Sequence, residues 1–124
     1  MNVVDSSAWL EYFANGANAG SFAKPIEATG TLLVPALCLY EVFKRVCQQR
    51  DEETAVRAVA MMEQGAVVDL DRVTALEAAR LSLLHRLPMA DSVVLATARR
   101  NKAVLWTQDS DFEGLEGVRY IARR

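Results

Sequence analysis

The chain contains 124 residues, of which 52% are hydrophobic and 24% are charged, and this balance excludes extensive disorder. Domains cluster near about 100–150 residues, so we expect a single domain over residues 1–124. No apolar run approaches the ~18 residues that cross a bilayer, and the start lacks the basic head and apolar stretch of a signal peptide, which predicts a cytoplasmic protein with no membrane partner.

Strands alternate with helices in the first half of the chain. The apolar run at 2–4 predicts a strand, and Ser6 or Ser7 is a suitable N-cap for the helix that follows. Asn15-Gly16 ends that helix. The remaining elements predicted here are a weaker helix at 20–28, a strand at 31–34 and a long helix at 35–49.

The second half continues the alternation. Its predicted elements are a helix at 52–64, a strand at 66–70, a helix from Asp71 to Pro88, a helix at 90–101, and strands at 103–106 and 118–121 with a turn at 109–112 between them. Apolar side chains in the helix after Asp71 form one stripe of the kind that faces a core: Val73, Leu76, Leu83, Leu84 and Leu87. The alternation predicts an α/β fold with a mostly parallel sheet covered by helices on both faces.

The cysteine and histidine content limits the metal chemistry. Cys38 and Cys47 are nine residues apart in a predicted helix, so we expect two buried, reduced thiols. The single histidine, His85, is in the last turn of a helix, where a charge-compensating surface role suffices. Without further His or Cys ligands, a bound metal would be held by oxygen atoms, which favours Mg²⁺ or Mn²⁺.

Four acidic residues interrupt apolar sequence. Asp5, Glu41 and Asp91 are each isolated among hydrophobic residues, and Asp109 follows the strand that ends at Trp106. A buried carboxylate without a partner costs several kcal/mol. Because residues just past the carboxyl ends of parallel strands converge on one crevice, these four acids are expected to meet there. Such a cluster requires cations, and divalent ions in carboxylate clusters serve phosphodiester hydrolysis.

Each acid also has an ordinary structural interpretation. Asp5, Asp91 and Asp109 are at predicted helix starts, where aspartate is a common N-cap. Glu41 has Lys44 and Arg45 within one helical turn as ion-pair partners. Asp71 is explained as a cap and Asp69 as a solvated edge residue, so neither is assigned to the site.

Two other functional classes fit less well. A phosphoacceptor signalling module also gathers aspartates around Mg²⁺, but it requires an acidic doublet after the first strand, whereas Asp5 is followed by Ser6. Enzymes with nucleotide cofactors are disfavoured because the chain has neither G-x-G-x-x-G nor G-x-x-x-x-G-K-S/T.

The acidic residues and their neighbours resemble the PIN-domain ribonucleases, in particular the VapC-type toxins of toxin–antitoxin pairs. The resemblance covers nearly the whole chain. It rests on four motifs in order: Val3-Val4-Asp5-Ser6-Ser7, Pro35 through Tyr40-Glu41-Val42, Leu87-Pro88-Met89-Ala90-Asp91-Ser92, and Thr107-Gln108-Asp109-Ser110-Asp111-Phe112. The implied fold is a three-layer α/β/α sandwich with a central, mostly parallel sheet of four to five strands.

The resemblance implies a metal-assisted endoribonuclease whose Mg²⁺ or Mn²⁺ ion activates water for attack on RNA. Its acidic quartet corresponds to Asp5, Glu41, Asp91 and Asp109, with Asp5, Asp91 and Asp109 holding the metal. Ser6 and Thr107 match hydroxyl positions that orient the acids or water, and Asp111 matches a more variable, accessory position. An intact quartet does not prove turnover, so a catalytically silent PIN-like interaction domain is the alternative.

The substrate and protein partners have weaker sequence support. Basic residues on predicted helices could neutralise RNA phosphates, although each also suits a solvated helix face: Lys44, Arg45, Arg99, Arg100 and Lys102. The aromatic stripe of Trp9, Tyr12 and Phe13 has helical spacing and is first of all core. The resemblance adds that VapC-type proteins form homodimers and bind a cognate antitoxin, for which an exposed aromatic patch is suitable.

Overall fold

A five-stranded, entirely parallel sheet forms the centre of the protein. The computed structural model describes all 124 residues, and the strand order is β3-β2-β1-β4-β5. The strands are β1 (Asn2–Val4), β2 (Leu32–Pro35), β3 (Ala66–Val68), β4 (Val104–Thr107) and β5 (Val118–Tyr120). The first strand therefore lies in the middle of the sheet, hydrogen-bonded to β2 on one side and to β4 on the other.

Six α-helices connect the strands. They are α1 (Ser6–Phe13), α2 (Ala19–Glu27), α3 (Ala36–Gln49), α4 (Glu52–Met62), α5 (Arg72–His85) and α6 (Met89–Arg100). Right-handed crossovers place α1 to α4 on one face of the sheet and α5 and α6 on the other. The order of elements and the α/β class are those predicted from the sequence, and the short 3₁₀ turn at Thr29–Thr31 is an addition.

The helix starts differ in detail from the predicted caps. Ser6 and Ser7 are the first residues of α1, and the cap is Asp5, whose Oδ1 accepts a hydrogen bond from the Ala8 backbone N–H at 3.1 Å. Asp71 caps α5 as expected and accepts from the Thr74 N–H at 2.7 Å. The preference of Asp for this position over Ser is small, so sequence alone does not separate the adjacent candidates.

One hydrophobic core of 26 buried residues joins the sheet to its helices. Its largest fully buried side chains include Trp9 from α1, Phe22 from α2 and Phe112 after β4. Cys38 and Cys47 are both free thiols. Cys38 is buried as expected, whereas the expectation of burial is wrong for Cys47, which is half-buried. None of the helices has the length and apolar character needed to cross a membrane.

The predicted apolar stripe of α5 is wrong for four of its five residues. Leu87 is buried, but Val73, Leu76, Leu83 and Leu84 are 49%, 62%, 85% and 73% exposed. The buried residues of α5 have i, i+4, i+7 spacing and are mostly small: Thr74, Ala78 and Leu81. Small side chains allow α5 to pack closely on α6, so the leucines face away from the core.

Candidate active site

Four elements bring the predicted acidic quartet to the carboxyl edge of the sheet. Asp5 directly follows β1, and Asp109 is two residues beyond β4. Asp91 is in the first turn of α6, which runs antiparallel to β4 and so begins at this edge, and Glu41 is in the second turn of α3. All four line one pocket of about 210 Å³, which we call the carboxylate pocket. It lies where β1 separates β2 from β4, the position at which open parallel sheets bind ligands.

Asp5 is almost fully buried and is held by three hydrogen bonds. Its Oδ1 accepts from Ser7 Oγ at 2.8 Å and from the Ala8 N–H, and its Oδ2 accepts from Thr107 Oγ1 at 2.7 Å. Burial raises the pKa of Asp5 to about 6 against the opposing effect of these bonds, and the nearby Asp109 adds to the rise. Asp5 therefore both caps α1 and lines the carboxylate pocket.

Glu41 is positioned by a hydroxyl from another element. Ser6 Oγ in α1 donates to Glu41 Oε1 at 2.7 Å, across 35 residues of sequence. The alternative ion pairs of Glu41 with Lys44 or Arg45 are wrong, because the ion pairs of the chain are confined to α4 and α5. The Lys44 ammonium lies 5.7 Å from the centre of the Tyr40 ring instead.

Three carboxylates form the tightest acidic group in the molecule. Asp91, Asp109 and Asp111 each offer an oxygen atom within 4.8 Å of the others. Asp109 Oδ1 also accepts from the Asp111 N–H at 2.9 Å, which fixes the short turn after β4. The N-cap interpretation of Asp91 is wrong, since Pro88 is the cap of α6. Burial, together with the negative charges of Asp109, Asp5 and Asp111, raises the pKa of Asp91 to about 7.

The donor set fits a hard divalent cation. Like charges at 4.8 Å repel by about 3 kcal/mol at an effective dielectric constant of 20, and no lysine or arginine forms an ion pair with any of these acids. Carboxylate oxygens are the ligands that Mg²⁺ and Mn²⁺ prefer. The grouping differs from the predicted ligands in one respect: Asp111 joins Asp91 and Asp109, whereas Asp5 lines the pocket with both oxygens hydrogen-bonded.

The predicted basic residues are divided between two edges of the sheet. Arg45 lies beside the carboxylate pocket, in an adjoining polar cavity. Arg99, Arg100 and Lys102 surround the end of α6 and the start of β4, at the opposite edge, and the Arg99 guanidinium donates to the Glu116 carbonyl at 3.0 Å. Of the predicted basic residues, only Arg45 lines a cavity that adjoins the acids.

Sequence reasoning missed the two remaining polar residues of the pocket, Ser7 and Arg123. Ser7 donates to Asp5, and Arg123 lines the pocket from the C-terminal tail. The second serine after Asp5 is a local indication that could have been used. No pattern links Arg123 to residues more than thirty positions earlier, so only the fold reveals its location.

The three aromatic side chains of α1 differ in their exposure to solvent. Trp9 is completely buried, so it is core and offers no surface to a partner, whereas Tyr12 and Phe13 are half-buried. The Tyr12 hydroxyl donates to Glu27 at 3.0 Å. Phe13 lines two shallow, mainly apolar grooves between α1 and the α3–α4 pair, together with Val46.

Solved structures with the same fold include toxins of bacterial toxin–antitoxin systems. A toxin–antitoxin complex from Klebsiella pneumoniae is 18% identical, with all of both chains covered and a TM-score of 0.82. VapC20 from Mycobacterium tuberculosis, a sarcin-ricin loop cleaving toxin, is 17% identical over 94% of this chain and 95% of that chain, with a TM-score of 0.75. VapBC2 from Rickettsia felis, bound to a DNA fragment from its promoter, is 11% identical over 98% and 97% of the two chains, with a TM-score of 0.76.

The family assignment rests on the sequence as well as on the fold. No curated protein sequence matches significantly. The family model for the PIN domain matches residues 3–118, a range that contains all four acids of the predicted quartet. The match leaves the phosphoacceptor alternative without support. The chain therefore belongs to the PIN domain family.

Proposed function

We propose that the protein is the toxin of a VapC-type toxin–antitoxin pair and hydrolyses RNA phosphodiester bonds with the help of Mg²⁺ or Mn²⁺. One observation carries the proposal: Asp91, Asp109 and Asp111 converge within 4.8 Å beside buried Asp5, without a cationic partner. PIN-domain proteins are nucleases of this general kind, and the similar structures include a toxin that cleaves RNA.

The metal would be held by the oxygen atoms of Asp91, Asp109 and Asp111, with Asp5 beside them. When bound, it would supply an activated water and stabilise negative charge on the phosphate. Asp5 is kept in one orientation by Thr107, Ser7 and the Ala8 N–H. Because these hydrogen bonds fix the Asp5 carboxylate, it would contribute negative charge beside the metal without changing its orientation when the metal binds.

Glu41 provides a second fixed carboxylate on the other side of the pocket. Ser6 occupies its Oε1, and Oε2 accepts no hydrogen bond from the chain. That oxygen is available to orient a water molecule or to accept its proton. Ser6 and Thr107 thus serve as positioning residues, each holding one acid of the quartet.

RNA cleavage in defined metal conditions tests the proposal. Purified protein should hydrolyse a single-stranded or structured RNA with Mg²⁺ or Mn²⁺ and stop in excess EDTA. Full activity in EDTA contradicts the mechanism. No cleavage with either metal, by a folded protein, would support the silent interaction domain instead.

We propose that an antitoxin segment binds the two grooves that Phe13 lines between α1 and the α3–α4 pair. Both grooves are mainly apolar and are lined by Val46, and Met61 lines one of them. Several similar structures are toxin–antitoxin complexes. A cognate antitoxin peptide should lose affinity for the variant Met61→Lys, and unchanged affinity would place the segment elsewhere.

We propose that a second copy of the chain covers the exposed face of α5 to form a homodimer. This leucine face, as we call it, consists of Val73, Leu76, Leu83 and Leu84. Beside it is a hollow of about 500 Å³, where small residues such as Ala79 and Ser82 lie between larger apolar ones that include Met89 and Leu83 itself. Under two-fold symmetry the leucines of each copy face the hollow of the other, so the same surface supplies both halves of the contact.

A further inference from the structure

The carboxylate pocket continues into a second cavity. The two share Ser7, Leu10 and Arg123 among their lining residues. The second cavity has a volume of about 270 Å³ and is lined mainly by polar side chains, with Arg45 at its wall and Gln108 at its base. Together they form one polar cleft: the acidic quartet lines one end, Arg45 and Glu11 line the other, and Arg123 lines both cavities.

Arg123 is not engaged elsewhere in the chain. The ion pairs of the protein lie on α4 and α5, and the hydrogen bonds that arginines donate come from Arg57 and Arg99. Although Arg123 lines the same pocket as the acidic quartet, it forms no ion pair with any of them. Its guanidinium therefore keeps all five donors available for a ligand in the cleft.

The backbone that carries Arg123 is fixed by the core. The Ile121 N–H donates to the Thr107 carbonyl at 2.9 Å, and the Ala122 carbonyl accepts from Asn18 Nδ2 at 3.0 Å. Asn18 is completely buried, and its Nδ2 also donates to Gln108 Oε1 at 3.0 Å. The tail residues before Arg123 are thus tied to the end of β4, which places this side chain at the junction of the two cavities.

We propose that Arg123, assisted by Arg45, binds a phosphate of the RNA backbone next to the one that is cleaved. The inference rests on the proposed function, because it assumes that a phosphodiester enters the carboxylate pocket. An RNA strand approaching a group of acids is repelled unless cations hold the neighbouring phosphates. A guanidinium is well suited to this role because its planar fork matches two phosphate oxygens.

Binding of RNA in the absence of cleavage tests the inference directly. The probe is a fluorescein-labelled single-stranded RNA oligonucleotide, titrated with full-length protein in EDTA and followed by fluorescence anisotropy over a series of salt concentrations. Arg123→Gln should weaken binding about tenfold and reduce the slope of log K against log salt by about 0.7, the value for one lost phosphate contact on a single strand. Arg123→Lys, which keeps the charge but not the fork, should fall between wild type and Arg123→Gln.

Arg124→Gln is the matched control, because it removes the same charge from the adjacent residue, which lines neither cavity. It should change RNA affinity less than twofold. Equal losses in both variants would show that only general charge matters, and an unchanged affinity in Arg123→Gln would show that no phosphate binds there. Either result overturns the inference.

Kinetics with Mn²⁺ separate this inference from the proposed function. Arg123→Gln should raise KM about tenfold and leave kcat within about twofold, because the lost contact is to a phosphate that does not react. If wild-type protein binds RNA with the predicted dependence on Arg123 but never cleaves it, the proposed function fails and the phosphate site stands. A loss of kcat without a change in KM would contradict the assignment of Arg123 to binding.

Discussion

The carboxylate pocket and the leucine face each reduce the stability of an isolated folded chain. The pocket does so through charge, and the leucine face does so through exposed apolar surface. The pocket gathers negative charges, of which Asp5 is buried and the others are half-buried, and the pKa values of Asp5 and Asp91 are raised. The leucine face leaves apolar side chains in water, with Leu83 85% exposed. Both features are what a protein shows where a ligand or partner completes it.

The two regions differ in how the sequence reveals them. An acid in an apolar run is anomalous by itself, so Asp5, Glu41 and Asp91 are conspicuous in the amino-acid sequence alone. A leucine on a helix is ordinary, and it looks the same whether it faces a core or a partner. A functional residue is thus easier to recognise when its type is unusual for its sequence surroundings, as with these acids, than when it is ordinary there, as with the leucines of α5.

The largest effect is expected from removing one charge of the pocket. Asp91→Asn should reduce RNA cleavage by about 10²-fold or more, because it removes a proposed metal ligand while keeping the shape of the side chain. Asp69→Asn makes the same chemical change at an exposed acid outside the pocket and should leave the rate unchanged. Steady-state kinetics with a fluorogenic RNA measure both, and equal rates in wild type and Asp91→Asn would remove the pocket from the reaction.

A charge on the leucine face should separate the proposed dimer. Leu83→Glu is present in both copies, so two carboxylates would be buried in the contact, and dimer affinity should fall at least about tenfold. Val56→Glu is the control, since Val56 is also exposed, at 54%, but is on α4. Sedimentation velocity at tens of micromolar distinguishes the species, and a wild-type monomer would show that the leucine face serves another purpose.

Thermal unfolding distinguishes Asp91, in the pocket, from Asp71, which caps a helix. Asp91→Asn should melt higher than wild type in EDTA, because it relieves repulsion by Asp109 and Asp5. Added Mg²⁺ or Mn²⁺ should narrow or reverse that order, since ligand binding stabilises only the protein that retains affinity. Asp71→Asn should instead lose about 1 kcal/mol or less in both conditions, because Asp71 caps α5 and has no place in the pocket. If Asp91→Asn instead lowered the melting temperature equally with and without metal, Asp91 would stabilise the fold as Asp71 does and would not bind a metal.

The raised pKa values also predict how the stability of the metal-free protein depends on pH. Asp5 and Asp91 have pKa values of about 6 and about 7 in the folded protein and the ordinary value of 3.8 when unfolded. Between these values the folded state binds more protons, so the free energy of unfolding should rise as pH falls from 8 toward 5. Urea denaturation in EDTA measures the trend. The double variant Asp5→Asn, Asp91→Asn should flatten it, and a stability that falls over this range would show that other groups dominate.

The sequence was sufficient for the order of elements, the α/β class and the acids that share the pocket, because each depends on local patterns and on the rule for parallel strands. It was insufficient for the grouping within the pocket. Asp111 comes close to Asp91 through the turn that Asp109 caps, and Asp5 is held back by Thr107 from a strand about 100 residues away. Such contacts depend on tertiary distances that no local pattern contains.

The central position of β1 determines when the site is assembled during protein synthesis. β1 leaves the ribosome before its partner β4, so Asp5 receives its bond from Thr107 only after residues 104–107 have been made. Asp109, Asp111 and Arg123 are made after β4. A partly synthesised chain therefore has Asp5 and Glu41 but no assembled pocket. On the proposed function, RNA cleavage is therefore expected only from a chain that has been translated and folded through Asp111.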